Sequence, residues 1–104
     1  MPNIMKLMKQ AAKMQENMKS AQDELAAQVI DYATGGNAVA IKITGSGQIQ
    51  SIKIAPEVLK DGDVEMLEDL LLSAVQGAQA AAQKTAQDRM NAVTAGLNLP
   101  PGLF

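Results

Sequence analysis

An apolar residue recurs at every third or fourth position from residue 4 to residue 25, and this repeat constrains the fold most strongly. The apolar stripe consists of Ile4, Leu7, Ala11, Met14, Met18, Ala21 and Leu25. Because an α-helix has about 3.6 residues per turn, this spacing places all of them on one side of a helix. Asn3 is a favourable N-cap, and no Gly or Pro follows until Gly35. The pattern predicts a helix over about residues 3–27.

Basic side chains occupy the opposite side of this predicted helix. Lys6, Lys9 and Lys13 point away from the apolar stripe, and Lys19 also takes an outward position. Lysines on the back of a helix are usually only solvated. A helix of this kind can nevertheless pack on protein with one side and contact a polyanion with the other. Lys84 and Arg89 are further candidates for such contact. They lie on the far half of the last helix, which is predicted below over about residues 63–95.

The mechanism of any nucleic-acid contact is restricted by residue types. No aromatic side chain is interleaved with these cations, which argues against stacking on single-stranded bases. The sequence contains no pattern of Arg or Asn residues that would indicate readout of base edges. Contact would therefore be made with phosphates and would be largely independent of DNA sequence.

The middle of the chain changes to a period of two, which indicates strands. Candidate strands cover residues 29–33, 38–44 and 48–54, with glycine-containing turns at residues 34–37 and 45–47. Ile52 and Ile54 keep the alternation, but Ile49 breaks it. Either a bulge lies near Gln50 or Ser51, or Ile49 is exposed or contacts a partner. The prediction is a three-stranded antiparallel meander over about residues 28–55, with one apolar face.

The remaining residues predict a second long helix over about residues 63–95. Pro56 suits the start of a short helical turn to Leu59, and Asp61 or Asp63 is suited to cap the long helix. Gly77 costs ~1 kcal/mol inside a helix, and close approach of another backbone would offset that cost. The helix is expected to end at Gly96, before an extended Leu- and Pro-rich tail over residues 96–104. The fold class is α+β, in one domain with the order α-β-β-β-α.

Element lengths bear on assembly. A seven-residue strand spans ~23 Å, whereas helices of ~25 and ~30 residues extend ~35 and ~45 Å. Both helices must therefore overrun the sheet, and their apolar sides can pack on each other or on a second copy. Small sheets with free edges also favour association. We expect a tight homodimer with projecting helical arms. The candidate packing residues are Ile4, Leu7, Ala11, Met14, Met18, Leu25, Gly77 and Ala78.

Several function classes are disfavoured by composition. The chain has no Cys and no His, which removes thiolate chemistry and the commonest general base. Residues 44–47 lack the spacing and the Lys of a phosphate-binding loop, and a hairpin turn is the better interpretation. The acids of residues 61–69 suit helix capping better than metal binding. We expect no enzyme, no metal, no cofactor and no small-molecule substrate.

Localisation and charge complete the expectations. No apolar run approaches the ~20 residues of a membrane helix, and the N-terminus lacks a hydrophobic signal core. A cytoplasmic protein without a membrane partner is expected. Considered alone, the net charge of −2 argues against DNA binding. The positive and negative charges are, however, segregated along the chain. Residues 1–22 hold four lysines and one acid, and residues 57–69 hold six acids and one base.

Four segments of the chain form a recognisable combination. They are Met5-Lys6-Leu7-Met8-Lys9-Gln10-Ala11, Gly45-Ser46-Gly47 with Ile52-Lys53-Ile54-Ala55-Pro56-Glu57-Val58-Leu59, Val64-Glu65-Met66-Leu67-Glu68-Asp69-Leu70, and Gly96-Leu97-Asn98-Leu99-Pro100-Pro101-Gly102. The Met-Leu-Glu-Asp-Leu segment and the Gly-Leu-x-Leu-Pro ending, at this separation, are specific in combination. With these segments the chain resembles the YbaB/EbfC family of bacterial nucleoid-associated proteins.

The resemblance implies a homodimer whose helical arms grip double-stranded DNA like tweezers. It also implies a place in the nucleoid, with effects on nucleoid organisation and gene expression. The arms would be the first and last helices, so the lysines above become DNA-contact candidates. A different hypothesis is a protein-interaction module, using the methionine-rich stripe or the Leu-Pro tail, whose DNA association is indirect. Docking of the first helix on a membrane surface is a weaker hypothesis.

Overall fold

The computed structural model describes residues 3–60 and 62–96. It confirms the α-β-β-β-α order and contains the short helical turn that was predicted to start at Pro56, between the sheet and the last long helix. The elements are α1 (Ile4–Ala27), β1 (Val29–Thr34), β2 (Val39–Thr44), β3 (Ile49–Ile54), α2 (Pro56–Lys60) and α3 (Val64–Gly96). Of the residues expected to form an extended tail, Gly96 closes α3, and residues 97–104 lie outside the described part.

The two long helices begin at side-chain caps. The Asn3 Oδ1 atom accepts hydrogen bonds from the backbone N–H groups of Met5 at 3.1 Å and Lys6 at 3.3 Å. Asp63 caps α3, accepting from the Met66 N–H at 3.0 Å. Asp61, the other candidate, is outside the described residues. Both caps satisfy N–H groups that the first helical turn leaves without a partner.

The three strands form one antiparallel sheet in the order β1-β2-β3. The register passes from Lys42 opposite Ser51 to Ile43 opposite Ile49, so Gln50 is an extra residue in β3. A β-bulge therefore lies where the broken alternation allowed one. It returns Ile49 to the apolar face, where it is half-buried against the core.

The core lies between one face of the sheet and α3. Val39, Ile41 and Ile43 are fully buried beneath a row of small residues of α3, namely Ala74, Ala78 and Ala82. The row permits a close helix–sheet approach. Helix α3 packs mainly on β1 and β2. On β3, Ile52 faces the same side as Ile41 but is 45% exposed.

An aromatic side chain lies closest to Gly77. A Cβ atom at Gly77 would overlap the ring of Tyr32 from β1. The close approach that offsets the cost of this glycine is made by an aromatic side chain. The glycine is needed because Tyr32 inserts its ring between the sheet and α3.

Helices α1 and α3 pack against each other in antiparallel directions. Leu25, near the end of α1, is buried against Gly45 of the β2–β3 turn, and Glu24 contacts Arg89 of α3. Towards the start of α1, Met14 and Met18 are half-buried, as are Met90 and Val93 towards the end of α3. Residues 4–13 of α1 are all exposed. We call this projecting segment of α1, without α3, the arm.

The arm makes the molecule long. Its radius of gyration is 19.7 Å, whereas a compact domain of this length has about 13 Å. The principal extents are 72 × 24 × 16 Å. Helix α3 accounts for about 50 Å of that length, and the part of α1 beyond its end for about 20 Å.

Candidate nucleic-acid interface

The lysine face of the arm consists of Lys6, Lys9 and Lys13. All are exposed, and they span about 10 Å along the helix axis. Lys19 is exposed as well, beside the part of α1 that packs on α3. None of these four lysines forms an ion pair with another residue of the described ranges. Their charges are therefore available to a ligand in solution.

The apolar stripe on the other side of α1 is only partly covered. Ala21 and Leu25 are buried, and Met14 and Met18 are half-buried. Ile4, Leu7 and Ala11 are exposed. The packing expected for the stripe therefore forms at its C-terminal end, where α3 and the sheet cover it.

The two cationic candidates on α3 differ from the arm lysines because both form ion pairs. The Arg89 Nη2 atom lies 2.6 Å from Glu24 Oε2, joining α3 to α1. Lys84 Nζ lies 3.9 Å from Asp88 Oδ2, one helical turn away and largely exposed. Arg89 thus has a clear packing partner, while Lys84 is held only weakly by a solvated neighbour.

Acidic residues are concentrated at the opposite end of the long axis. Glu57 of α2 and the cap Asp63 are there, with Glu65, Glu68 and Asp69 in the first turns of α3. Because α3 alone is about 50 Å long, these carboxylates are far from the arm. At that distance, salt screens their repulsion of a polyanion at the arm, since the Debye length is about 8 Å at physiological ionic strength.

The sheet presents a second, smaller basic group that the sequence pattern did not single out. Lys42 and Lys53 are exposed on the face of the sheet opposite α3. Asp31 is the cross-strand partner of Lys42. The signal was present in the strand alternation, because both lysines occupy the polar positions of their strands.

The β2–β3 turn is structural. The hydroxyl groups of Thr44 and Ser46 hydrogen-bond each other at 2.8 Å, and Thr44 Oγ1 accepts from the Gln48 N–H at 3.0 Å. A Cβ at Gly45 would lie 2.7 Å from Leu25 Cδ2 and 2.9 Å from the Leu25 carbonyl oxygen. The turn anchors the end of α1, in agreement with the hairpin interpretation.

None of the helices within residues 3–60 and 62–96 is both long enough and apolar enough to cross a membrane. In the same residues, no cluster of His, Cys, Asp and Glu side chains is arranged to hold a metal ion.

Comparison with known structures supports the architecture. A crystal structure of an uncharacterized protein from Helicobacter pylori superimposes with a TM-score of 0.74, covering 85% of this chain and 92% of that one. The two sequences are 17% identical, so this likeness concerns the fold alone.

Comparison of sequences identifies the family. The profile of the YbaB/EbfC DNA-binding family matches residues 1–97. A nucleoid-associated protein of Chloroflexus aurantiacus is 45% identical, with 98% of this chain and 99% of the relative covered. Nucleoid-associated proteins of Ruminiclostridium cellulolyticum and Gluconobacter oxydans are 46% and 40% identical, over 98% and 99% of this chain and 89% and 96% of the relatives. The chain belongs to the YbaB/EbfC DNA-binding family, whose members here are named as nucleoid-associated proteins and not as enzymes.

Proposed function

We propose that this protein is a homodimer that holds duplex DNA in the bacterial nucleoid, through phosphate contacts made by the lysine face of each arm. Lys19 extends this contact, and Lys84 contributes where the duplex passes α3. The proposal also places the protein in the cytoplasm, with effects on nucleoid organisation and gene expression. The carrying observation is that the arm projects three exposed lysines, without ion pairs among the described residues, away from the acidic end.

The chemistry of the arm favours DNA backbone over bases. A lysine ammonium is a flexible point charge and does not make the planar, paired contacts by which arginine reads guanine. B-DNA carries one charge per about 1.7 Å of axis, so the ~10 Å covered by the lysine face meets several phosphates in any sequence. Binding of this kind is tolerant of sequence and sensitive to salt.

Exposed apolar side chains on β3, α2 and the first turns of α3 support the dimer. Ile52 on β3, Leu59 on α2 and Leu72 on α3 are all substantially exposed. Val64 and Met66 at the start of α3 are exposed as well. Several large exposed apolar side chains on neighbouring elements suit a protein–protein interface. A dimer formed here would leave both arms free.

The test is a binding titration over a range of salt concentrations, on several duplexes of unrelated sequence. With four lysines from each chain making about eight phosphate contacts, the slope of log K against log salt should be ~−7. All duplexes should bind with similar affinity. Failure to bind any duplex at low salt would refute the proposal.

A matched pair of triple variants locates the contact. Changing Lys6, Lys9 and Lys13 to Glu should abolish binding and leave the dimer intact. The control changes Lys42, Lys53 and Lys60 to Glu. These three lysines are exposed and lie outside the arm. The alteration in net charge is the same in both. Equal loss of affinity in the two variants would show that the arm is not the site.

The exposed apolar residues of the arm also suit a protein-interaction module that meets DNA only indirectly. That function predicts association with nucleoid material that resists salt and nuclease. Phosphate binding by the arm predicts the reverse, because its energy comes from counterion release.

A further inference from the structure

The described residues leave the apolar side of the arm uncovered. Ile4 is 70% exposed, Leu7 is 54% exposed, and Met8 beside them is 65% exposed. Ala11 is exposed too, and Met14, just behind the arm, is half-buried. We call the apolar stripe between residues 4 and 14 the open stripe. It is continuous with the part of the stripe that α3 covers.

The end of α3 sets where the open stripe begins. Glu24 of α1 lies beside Arg89 of α3, and the helices are antiparallel. Both helices rise by the same amount per residue. Gly96, seven positions beyond Arg89, therefore falls level with Asn17, seven positions before Glu24. A second helix placed in line with α3, beyond its end, would pack on the open stripe.

The open stripe is complementary to itself. Two copies can be placed antiparallel about a two-fold axis at the level of Lys9. Leu7 of each copy then faces Ala11 of the other, since both lie two positions from that level. Ile4 faces Met14 in the same way. A large side chain opposite a small one lets two helices interdigitate closely, and the flexible Met side chain adapts to the remaining space.

The positions that border the open stripe carry no charge. Met8 and Gln15 border it on one side, and Gln10 and Asn17 border it on the other. Charged residues at such positions select an oppositely charged partner or exclude a second identical helix. Here the lysines lie on the far side of the helix, so two copies pair without bringing like charges into contact. Uncharged borders therefore favour a second copy over an acidic or basic partner helix.

We propose that two copies of this chain pack their arms antiparallel through the open stripe, in a contact separate from the dimer at the acidic end. The arm of the second copy lies in line with α3 and extends the α1–α3 interface along α1. The lysine faces then point outwards on both sides of the paired arms. The contact is short, and small interfaces are weak, so it joins dimers where their local concentration is high. It requires no DNA and is independent of the DNA-binding proposal.

Mixed disulfides test the register, because the chain has no Cys. Leu7→Cys protein is mixed with Ala11→Cys protein under mild oxidation, and the cross-linked chains are identified by mass. The disulfide that joins one chain of each kind should exceed the two symmetric disulfides about tenfold, because only the unlike positions face each other. The matched control mixes Met5→Cys with Ala12→Cys, which lie on the outward side and remove no lysine, and it should give random proportions. Random proportions in the first mixture, or no disulfide between chains, would overturn the proposal.

Sedimentation equilibrium at high salt provides a second measurement that needs no cross-link. In about 1 M salt, which screens repulsion between the lysines of paired arms, the weight-average mass should about double from low to high protein concentration. Ile4→Gln with Leu7→Gln should remove this rise, whereas Met5→Gln with Ala12→Gln, on the outward side, should keep it. The same salt weakens DNA binding, so failure of one proposal is distinguishable from failure of the other. A mass independent of concentration, or an unchanged rise in the Ile4 and Leu7 variant, would overturn the arm contact and leave the open stripe to a different partner.

Discussion

Gly77 shows how one residue links the sequence to the packing of the whole core. A glycine in the middle of a long helix is unfavourable by itself, so the sequence marks it as a place where something approaches closely. The approaching group is the Tyr32 ring, which comes from a strand 45 positions earlier in the chain. No local pattern connects the two residues.

We predict that Gly77→Ala destabilises the protein by about 1–3 kcal/mol, because the new methyl group must displace the Tyr32 ring. This is opposite to the ~1 kcal/mol that Ala normally gains over Gly in a helix. The measurement is the free energy of unfolding in urea. Gln76→Ala, at the exposed neighbouring position, is the control and should have little effect.

A double variant isolates the cause. Combined with Tyr32→Ala, the change Gly77→Ala should become stabilising, since the space is then free. A Gly77→Ala variant that is as stable as the parent while Tyr32 is present would contradict the assigned contact.

The pair between Arg89 and Glu24 joins two elements and sets how the arm leaves the body of the molecule. Sequence reasoning placed Arg89 among the DNA-contact candidates because it lies on the far half of α3. The structure pairs it with a carboxylate of α1, and both side chains remain partly exposed. An exposed pair contributes about 0.2–1 kcal/mol, so its main effect is on orientation.

We predict that Arg89→Glu and Glu24→Arg each lower the free energy of unfolding, and that the double exchange recovers most of the loss. The coupling in this double-mutant cycle should be about 0.2–1 kcal/mol. The exchanged variant should bind duplex DNA as the parent does, because its net charge and its pair are kept. Weak DNA binding by the stable exchanged variant would instead make Arg89 a DNA contact.

The whole molecule separates two surfaces by length. The basic arm is at one end of a 72 Å particle, and the acidic and apolar surface around α2 and the start of α3 is at the other. Two copies joined at the acidic end would carry two arms, one at the far end of each copy. Linking two weak phosphate-binding surfaces raises the overall affinity without new contacts.

We predict a solution mass of about twice the 10.9 kDa of the chain by light scattering after gel filtration. Leu72→Glu, which places a charge in the proposed interface, should give the monomer. Leu7→Glu is the matched control, since Leu7 is 54% and Leu72 is 58% exposed, and it should leave the dimer intact. Dissociation by the Leu7 change alone would place the interface on the arms.

Local features of the sequence account for the elements. The spacing of the apolar stripe, the Asn3 and Asp63 caps, the strand alternation and the break at Ile49 predicted the helices, strands and bulge that the structure contains. Each of these depends on neighbours within a few residues, so it can be recognised without knowing the fold. The acid-rich and lysine-rich segments were equally visible.

Long-range packing is what the sequence could not specify. The end of α3 marks the position along α1 that separates the covered part of the apolar stripe from the exposed arm. That position depends on the length and direction of the two packed helices. The same packing gives Arg89 its partner and places the two charged segments at opposite ends of the particle. The sequence already shows which side of α1 carries the lysines. Only the three-dimensional arrangement shows that they project from the body, because the exposure of a helix depends on what packs around it.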